Sequence, residues 1–174
     1  METTNLWSAY AKKHVLITTD LETDDLVALQ LLSKLIPIDT NVSFVVGEGN
    51  ATMKYHRMKK YVELMGFHGP NNQSSTVYQG SDSWSDFTFD GEDVFSISTC
   101  KELRKHKRDN KKDMDELKQF LETNECMIIM LKPPREFIEY WKSNNKLFNK
   151  VTMFAYMSFN IKCLFDIPTV DLIS

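Results

Sequence analysis

The chain has 174 residues, 42% of them hydrophobic and 26% charged, with a formal net charge of −3 at pH 7. That length suits one domain able to bury a core without staples, and the charge balance gives no electrostatic argument for nucleic acid or an anionic membrane as partner. No apolar run reaches the length of a membrane span, and Met1-Glu2-Thr3-Thr4-Asn5 is acidic and lacks a signal-peptide core. Cys100, Cys126 and Cys163 are odd in number and widely spaced, which predicts a reducing, cytoplasmic setting rather than a disulfide framework. His14, His56, His68 and His106 are scattered and read as structural or exposed residues.

Residues 14–19 are apolar and then Thr-rich, the pattern of a strand. A helix follows at once and runs to about Ile36, with Thr23 or Asp24 as its cap and early aspartates at the positive end of its dipole. It is apolar on most sides (Leu26, Leu29, Leu31, Leu32, Leu35), which predicts that it lies flat on a sheet, and Pro37 ends it. Val42 to Val46 reads as a second buried strand, closed by the turn Gly47-Glu48-Gly49-Asn50. A second helix spans about Thr52 to Met65, with Tyr55, Met58, Tyr61, Val62 and Met65 at helical spacing. Residues 70–95 read as a polar, acidic loop with one short extended piece, Val77-Tyr78, and with Trp84, Phe87 and Phe89 as loop packing ahead of the alternative that they cover a nucleobase.

Lys101 to Asn110 is very basic and leads into an amphipathic, charged helix over Lys111 to Glu122. Acidic Asp109, Asp113, Asp115 and Glu116 dilute the basic charge, so this segment reads as a solvated face rather than a nucleic-acid surface. Cys126 to Leu131 is a third buried strand, Pro133-Pro134 opens a helix through Trp141, and Val151 to Tyr156 is a fourth strand. Strands alternating with helices predict an α/β fold: a Rossmann-like open, mostly parallel sheet with helices on both faces, in a single domain with its core over about 14–160.

The end of the first strand is the most informative place. Asp20, Glu22, Asp24 and Asp25 put four carboxylates within six positions, at the sheet edge where open α/β folds bind ligands. Two carboxylates about 4 Å apart at an effective dielectric near 20 repel by roughly 4 kcal/mol. Such a cluster needs a cation, a shared proton or water. Parallel neighbours would also bring Asn50, after the second strand, beside it. Taken singly, Asp24-Asp25 is explained by capping, Asn50 by a turn and Asp90 by a surface loop; together they point to a sugar and metal site.

The order of motifs resembles the inosine-uridine nucleoside hydrolase family. That family opens with Asp-x-Asp-x-Gly-x-Asp-Asp-Ala after its first strand, matched here by Thr18-Thr19-Asp20-Leu21-Glu22-Thr23-Asp24-Asp25-Leu26. Gly49-Asn50, Arg57 in the next helix, Val77-Tyr78-Gln79-Gly80 and Phe89-Asp90-Gly91-Glu92-Asp93 follow in the family's order. Met130-Leu131-Lys132-Pro133-Pro134 and Phe154-Ala155-Tyr156 stand where it has Gly-Pro-Leu-Thr-Asn and Met-Gly-Gly pieces. The resemblance implies a calcium cofactor held by Asp20 and Asp25, with Asp24 as the general base on a bound water. It also implies that Asn50 and Asp90 contact a nucleoside or other ribosylated small molecule.

This sequence also departs from the family's pattern. Thr18 replaces the motif's first aspartate, Glu22 replaces a glycine, and Asp90 stands where histidine is frequent. Lys132 and Arg135 enter a segment that supplies a backbone metal ligand, and the family's late His–Asp pair has no clear counterpart, with Asp166 or Asp171 as substitutes. These departures favour a catalytically weakened or inactive binding or interaction protein on the nucleoside-hydrolase-like scaffold, with a protein partner or homo-oligomer as company. The other readings are an active calcium-dependent N-ribosyl hydrolase and, from Asp20-Leu21-Glu22-Thr23, a haloacid-dehalogenase-like phosphatase.

Overall fold

A computed structural model describes residues 14–48, 51–68, 74–81, 109–133 and 135–156. Asn50, Asp90, Asp166, Asp171, the aromatic trio Trp84, Phe87 and Phe89, and the basic stretch 101–108 lie outside the described residues. The elements run β1 (His14–Thr19), α1 (Thr23–Leu35), β2 (Asn41–Val46), α2 (Ala51–Met65), β3 (Thr76–Gln79), α3 (Lys111–Thr123), β4 (Cys126–Met130), α4 (Arg135–Ser143), a 3-10 turn (Asn145–Phe148) and β5 (Val151–Tyr156).

The five strands form one sheet in the order β3-β2-β1-β4-β5, with every pairing parallel. The fold is therefore the Rossmann-like α/β sheet that strand–helix alternation predicts. Connections from β1 to β3 step one way across the sheet, and β4 and β5 extend it the other way. The switch point of the topology falls between β1 and β4, and the crevice at the carboxyl end of that pair is where such sheets seat ligands.

Side chains alternate across the sheet and divide the core into two layers. Val15, Ile17, Val42, Phe44 and Val46 pack with Leu29 and Ile36 at α1 and with Met58 and Val62 of α2. Leu16, Val45, Ile128 and Met130 pack on the opposite face with Leu117, Phe120 and Leu121 of α3 and Phe137 and Tyr140 of α4. The central strands are buried along nearly their whole length, as expected of parallel strands covered on both faces.

Two sequence expectations change. Val77-Tyr78 is not an extended piece within a loop: it is the centre of β3, an edge strand in register with Ser43–Val46. Four residues carrying two polar ends are too short for alternation to announce a strand. The cap of α1 is Glu22, without a side-chain cap hydrogen bond, rather than Thr23 or Asp24.

Candidate functional site

The carboxyl edge of the sheet carries two polar clusters. The first grows from the turn between β1 and α1. Leu21 takes a left-handed backbone conformation, φ +57°, which an L residue adopts only when its surroundings hold it there. Asp25 supplies the hold. Its Oδ2 accepts from the Thr19 hydroxyl (2.5 Å), the Asp20 N–H (3.0 Å) and the Leu21 N–H (3.1 Å). The Leu21 N–H also donates to Thr19 Oγ1 at 3.0 Å. The left-handed residue thus precedes Glu22, which is ordinary extended backbone at φ −72° and needs no glycine.

The structure separates the four clustered carboxylates. Asp25 is 1% exposed, while Glu22 and Asp24 are exposed and Asp20 is half-buried. Helical geometry is the cause: α1 begins at Thr23, and neighbouring residues on a helix point about 100° apart. Asp25 therefore turns back under the β1 turn and Asp24 faces out. Asp20 is the neighbouring carboxylate whose side chain hydrogen-bonds to Asp25. Burial pushes the Asp25 carboxyl up to about 7; the hydrogen bond and negative charge of Asp20 add to the rise, and the Thr19 hydroxyl opposes it. Asp25 thus keeps its proton to near neutral pH beside the Asp20 carboxyl.

Calcium takes six to eight oxygen ligands. The described residues offer the Asp20 and Asp25 carboxylates, and Thr18 has a buried hydroxyl with no hydrogen-bond partner. One Asp25 oxygen is already committed to three donors. Among the described residues no group of three or more His, Cys, Asp or Glu is placed to hold a metal ion. These residues by themselves do not fit a calcium centre.

The second cluster sits at the ends of β2, β3 and β4. Lys132, just past β4, is fully buried, and its Nζ lies 2.6 Å from Glu136 Oε2 in the first turn of α4. Glu136 Oε1 accepts from the Ser81 N–H beyond β3 at 3.0 Å. Two glycines let this carboxylate in: a Cβ at Gly47 would come within 2.8 Å of Oε1, and a Cβ at Gly80 would fall on it. Glu48, at φ +67°, completes the group at 4.0 Å from Lys132 Nζ and 3.6 Å from Arg135 Nε. The cluster joins three strand ends to α4 and balances its own charge. Lys132 is therefore not a free cation facing the crevice.

Sequence reasoning found Asp20 and Asp25 but passed over Glu48 and Glu136. The available signal was the i, i+4 spacing of Lys132 and Glu136 together with a glycine after each of β2 and β3. A further tie fixes the edge beside them: the Gln79 N–H donates to buried Asp113 Oδ2 at 2.7 Å, and Asn110 Nδ2 donates to the Gly80 carbonyl at 2.9 Å. Arg57 is buried in α2. Cys126 is a free, buried thiol that burial pushes up to about 12, which makes it unreactive.

A cavity of about 570 Å³ lies at the opposite, amino-terminal edge, between the end of α1 and the end of α2, lined by Leu35, Ile36, Thr40, Met65 and Phe67 among others. It holds none of the carboxyl chemistry described above. No helix among the described residues is long and apolar enough to cross a membrane. No protein-family model matches the chain, and no curated protein matches it.

Proposed function

We propose that this chain binds a neutral ribosylated small molecule, of the nucleoside class, at the carboxyl edge between β1 and β4, on a nucleoside-hydrolase-like scaffold whose hydrolytic step is weakened or lost. The observation that carries the reading is the Asp20–Asp25 carboxyl pair at the switch point of the sheet. Asp25 is locked by backbone amides, and half-buried Asp20 is the member with access to solvent. A carboxylate in that position accepts hydrogens from two adjacent sugar hydroxyls, and charge-assisted hydrogen bonds of this kind are the strong ones.

The same pair repels anions. Lys132 gives no compensation because Glu136 holds it. A phosphate ester is therefore a poor ligand, which weighs against the phosphatase reading. Weakened hydrolysis is supported by two features: Asp24, the base implied by resemblance, faces away from the pair, and the described oxygen donors fall short of a calcium shell.

Calorimetry and amide NMR with ribose, inosine and uridine, each with and without calcium, test this. The expected result is saturable binding that Asp20→Asn abolishes, with no reducing sugar released. Absence of binding by all three ligands refutes the proposal. Calcium-dependent sugar release lost in Asp25→Ala would establish the active hydrolase instead.

A further inference from the structure

The outer face of α1 carries chemistry that the fold leaves unused. Leu26, Leu29, Leu32 and Ile36 turn inward to the core. Val27, Leu31 and Leu35 point outward at 59%, 59% and 56% exposure, and Ile38, just beyond the helix, is 78% exposed. A helix apolar on both sides belongs between two layers, and among the described residues only one layer covers α1. Exposed Asp24 and Lys34 bracket the outer stripe, since residues 24, 27, 31, 34 and 35 share one side of a 3.6-residue helix.

We infer that α1 is the self-association surface of this protein, pairing antiparallel with α1 of a second copy about a twofold axis. The charge pattern selects the register. The pairing that sets Val27 opposite Leu31 of the second copy also sets Asp24 opposite Lys34 of the second copy, because both pairs centre on residue 29. Twofold symmetry makes each contact twice, so two apolar pairs and two ion pairs form together. In this register Leu35 falls opposite Thr23 and Ile38 opposite Asp20 of the second copy, so the apolar contact centres on Val27 and Leu31 and is smaller than that of a standard specific interface. The dimer is accordingly weak and concentration-dependent. It gives Asp24 a role at an interface, and it stands whether or not a nucleoside binds.

Sedimentation equilibrium of the full chain, from low micromolar to several hundred micromolar, tests the inference. A monomer–dimer equilibrium is expected. Leu31→Glu should leave only monomer, with unchanged circular dichroism because the position is exposed. Asp24→Lys and Lys34→Glu should each weaken association by about tenfold, since each turns two attractions into two repulsions, and the double reversal should restore it to within about threefold. A monomer at every concentration overturns the inference. So does a dimer indifferent to Leu31→Glu, or a double reversal that fails to recover the loss.

Discussion

The two polar clusters at the carboxyl edge solve opposite problems. Lys132 and Glu136 are unlike charges, almost fully buried, 2.6 Å apart, and satisfied further by the Ser81 amide. Asp20 and Asp25 are like charges, and the backbone amides around Asp25 stabilise its carboxylate while burial and the Asp20 carboxylate disfavour its ionisation. The first pair is matched within the fold, although Glu48 Oε1 and Arg135 Nη1 beside it are buried without a hydrogen-bond partner among the described residues. The second is incomplete at neutral pH and is relieved by a proton or by a ligand that donates hydrogens. The contrast separates a structural joint from the proposed ligand site, although both are charged and both end strands of one sheet.

Breaking the joint should cost the most. Lys132→Met strands the Glu136 carboxylate in a buried site, and unfolding by urea should show a loss of about 3–5 kcal/mol. Replacing both partners, Lys132→Met with Glu136→Leu, should recover most of it, since a buried ion pair is often no more stable than apolar groups of similar volume. A double replacement as harmful as the single one would show that the Ser81 contact of Glu136, rather than its charge, is what holds the edge.

The acid pair predicts a pH effect of opposite logic. The folded protein holds the Asp25 proton up to about 7, against 3.8 for the ordinary carboxyl. Its contribution is therefore fully present below about pH 4 and is lost as pH rises through 7. Stability at pH 8 should be lower than at pH 5 by on the order of 3 kcal/mol from this group. Asp25→Asn should flatten that slope. Equal slopes in the two proteins would remove Asp25 as its source.

Asp25→Ala should cost about 1–3 kcal/mol at pH 5, because the Thr19 hydroxyl and two backbone amides lose their acceptor. The left-handed turn at Leu21 should loosen with it, which amide exchange at Asp20 and Leu21 would read. The smallest effect belongs to Asp24. Asp24→Ala, compared at low micromolar protein, should change stability by less than about 0.5 kcal/mol, as for an exposed residue without a cap bond.

Much of this architecture was legible in the sequence. β1 and β5 begin and end where their apolar runs do, and α2 and α3 match their periodicity within a residue or so at each end. The layout follows from alternation of strand and helix alone. β3 was half-visible because an edge strand of four residues has little room for a pattern. Within the site, the density of acids at the end of β1 was legible, but its division was not. Whether Asp24 or Asp25 turns inward depends on where the first helical turn begins, and one residue of shift reverses the answer. Glu136 was hidden for another reason: it reaches its place only because glycines on two other strands leave room for it. Such a condition is tertiary, and no local window contains it.

The most direct measurement is a carbon-13 NMR titration of the Asp25 carboxyl in the intact protein and in Asp20→Asn. A carboxyl pair at the switch point predicts a midpoint near 7 that falls when Asp20 loses its charge. A midpoint in the ordinary carboxylate range, unmoved by that substitution, would contradict it.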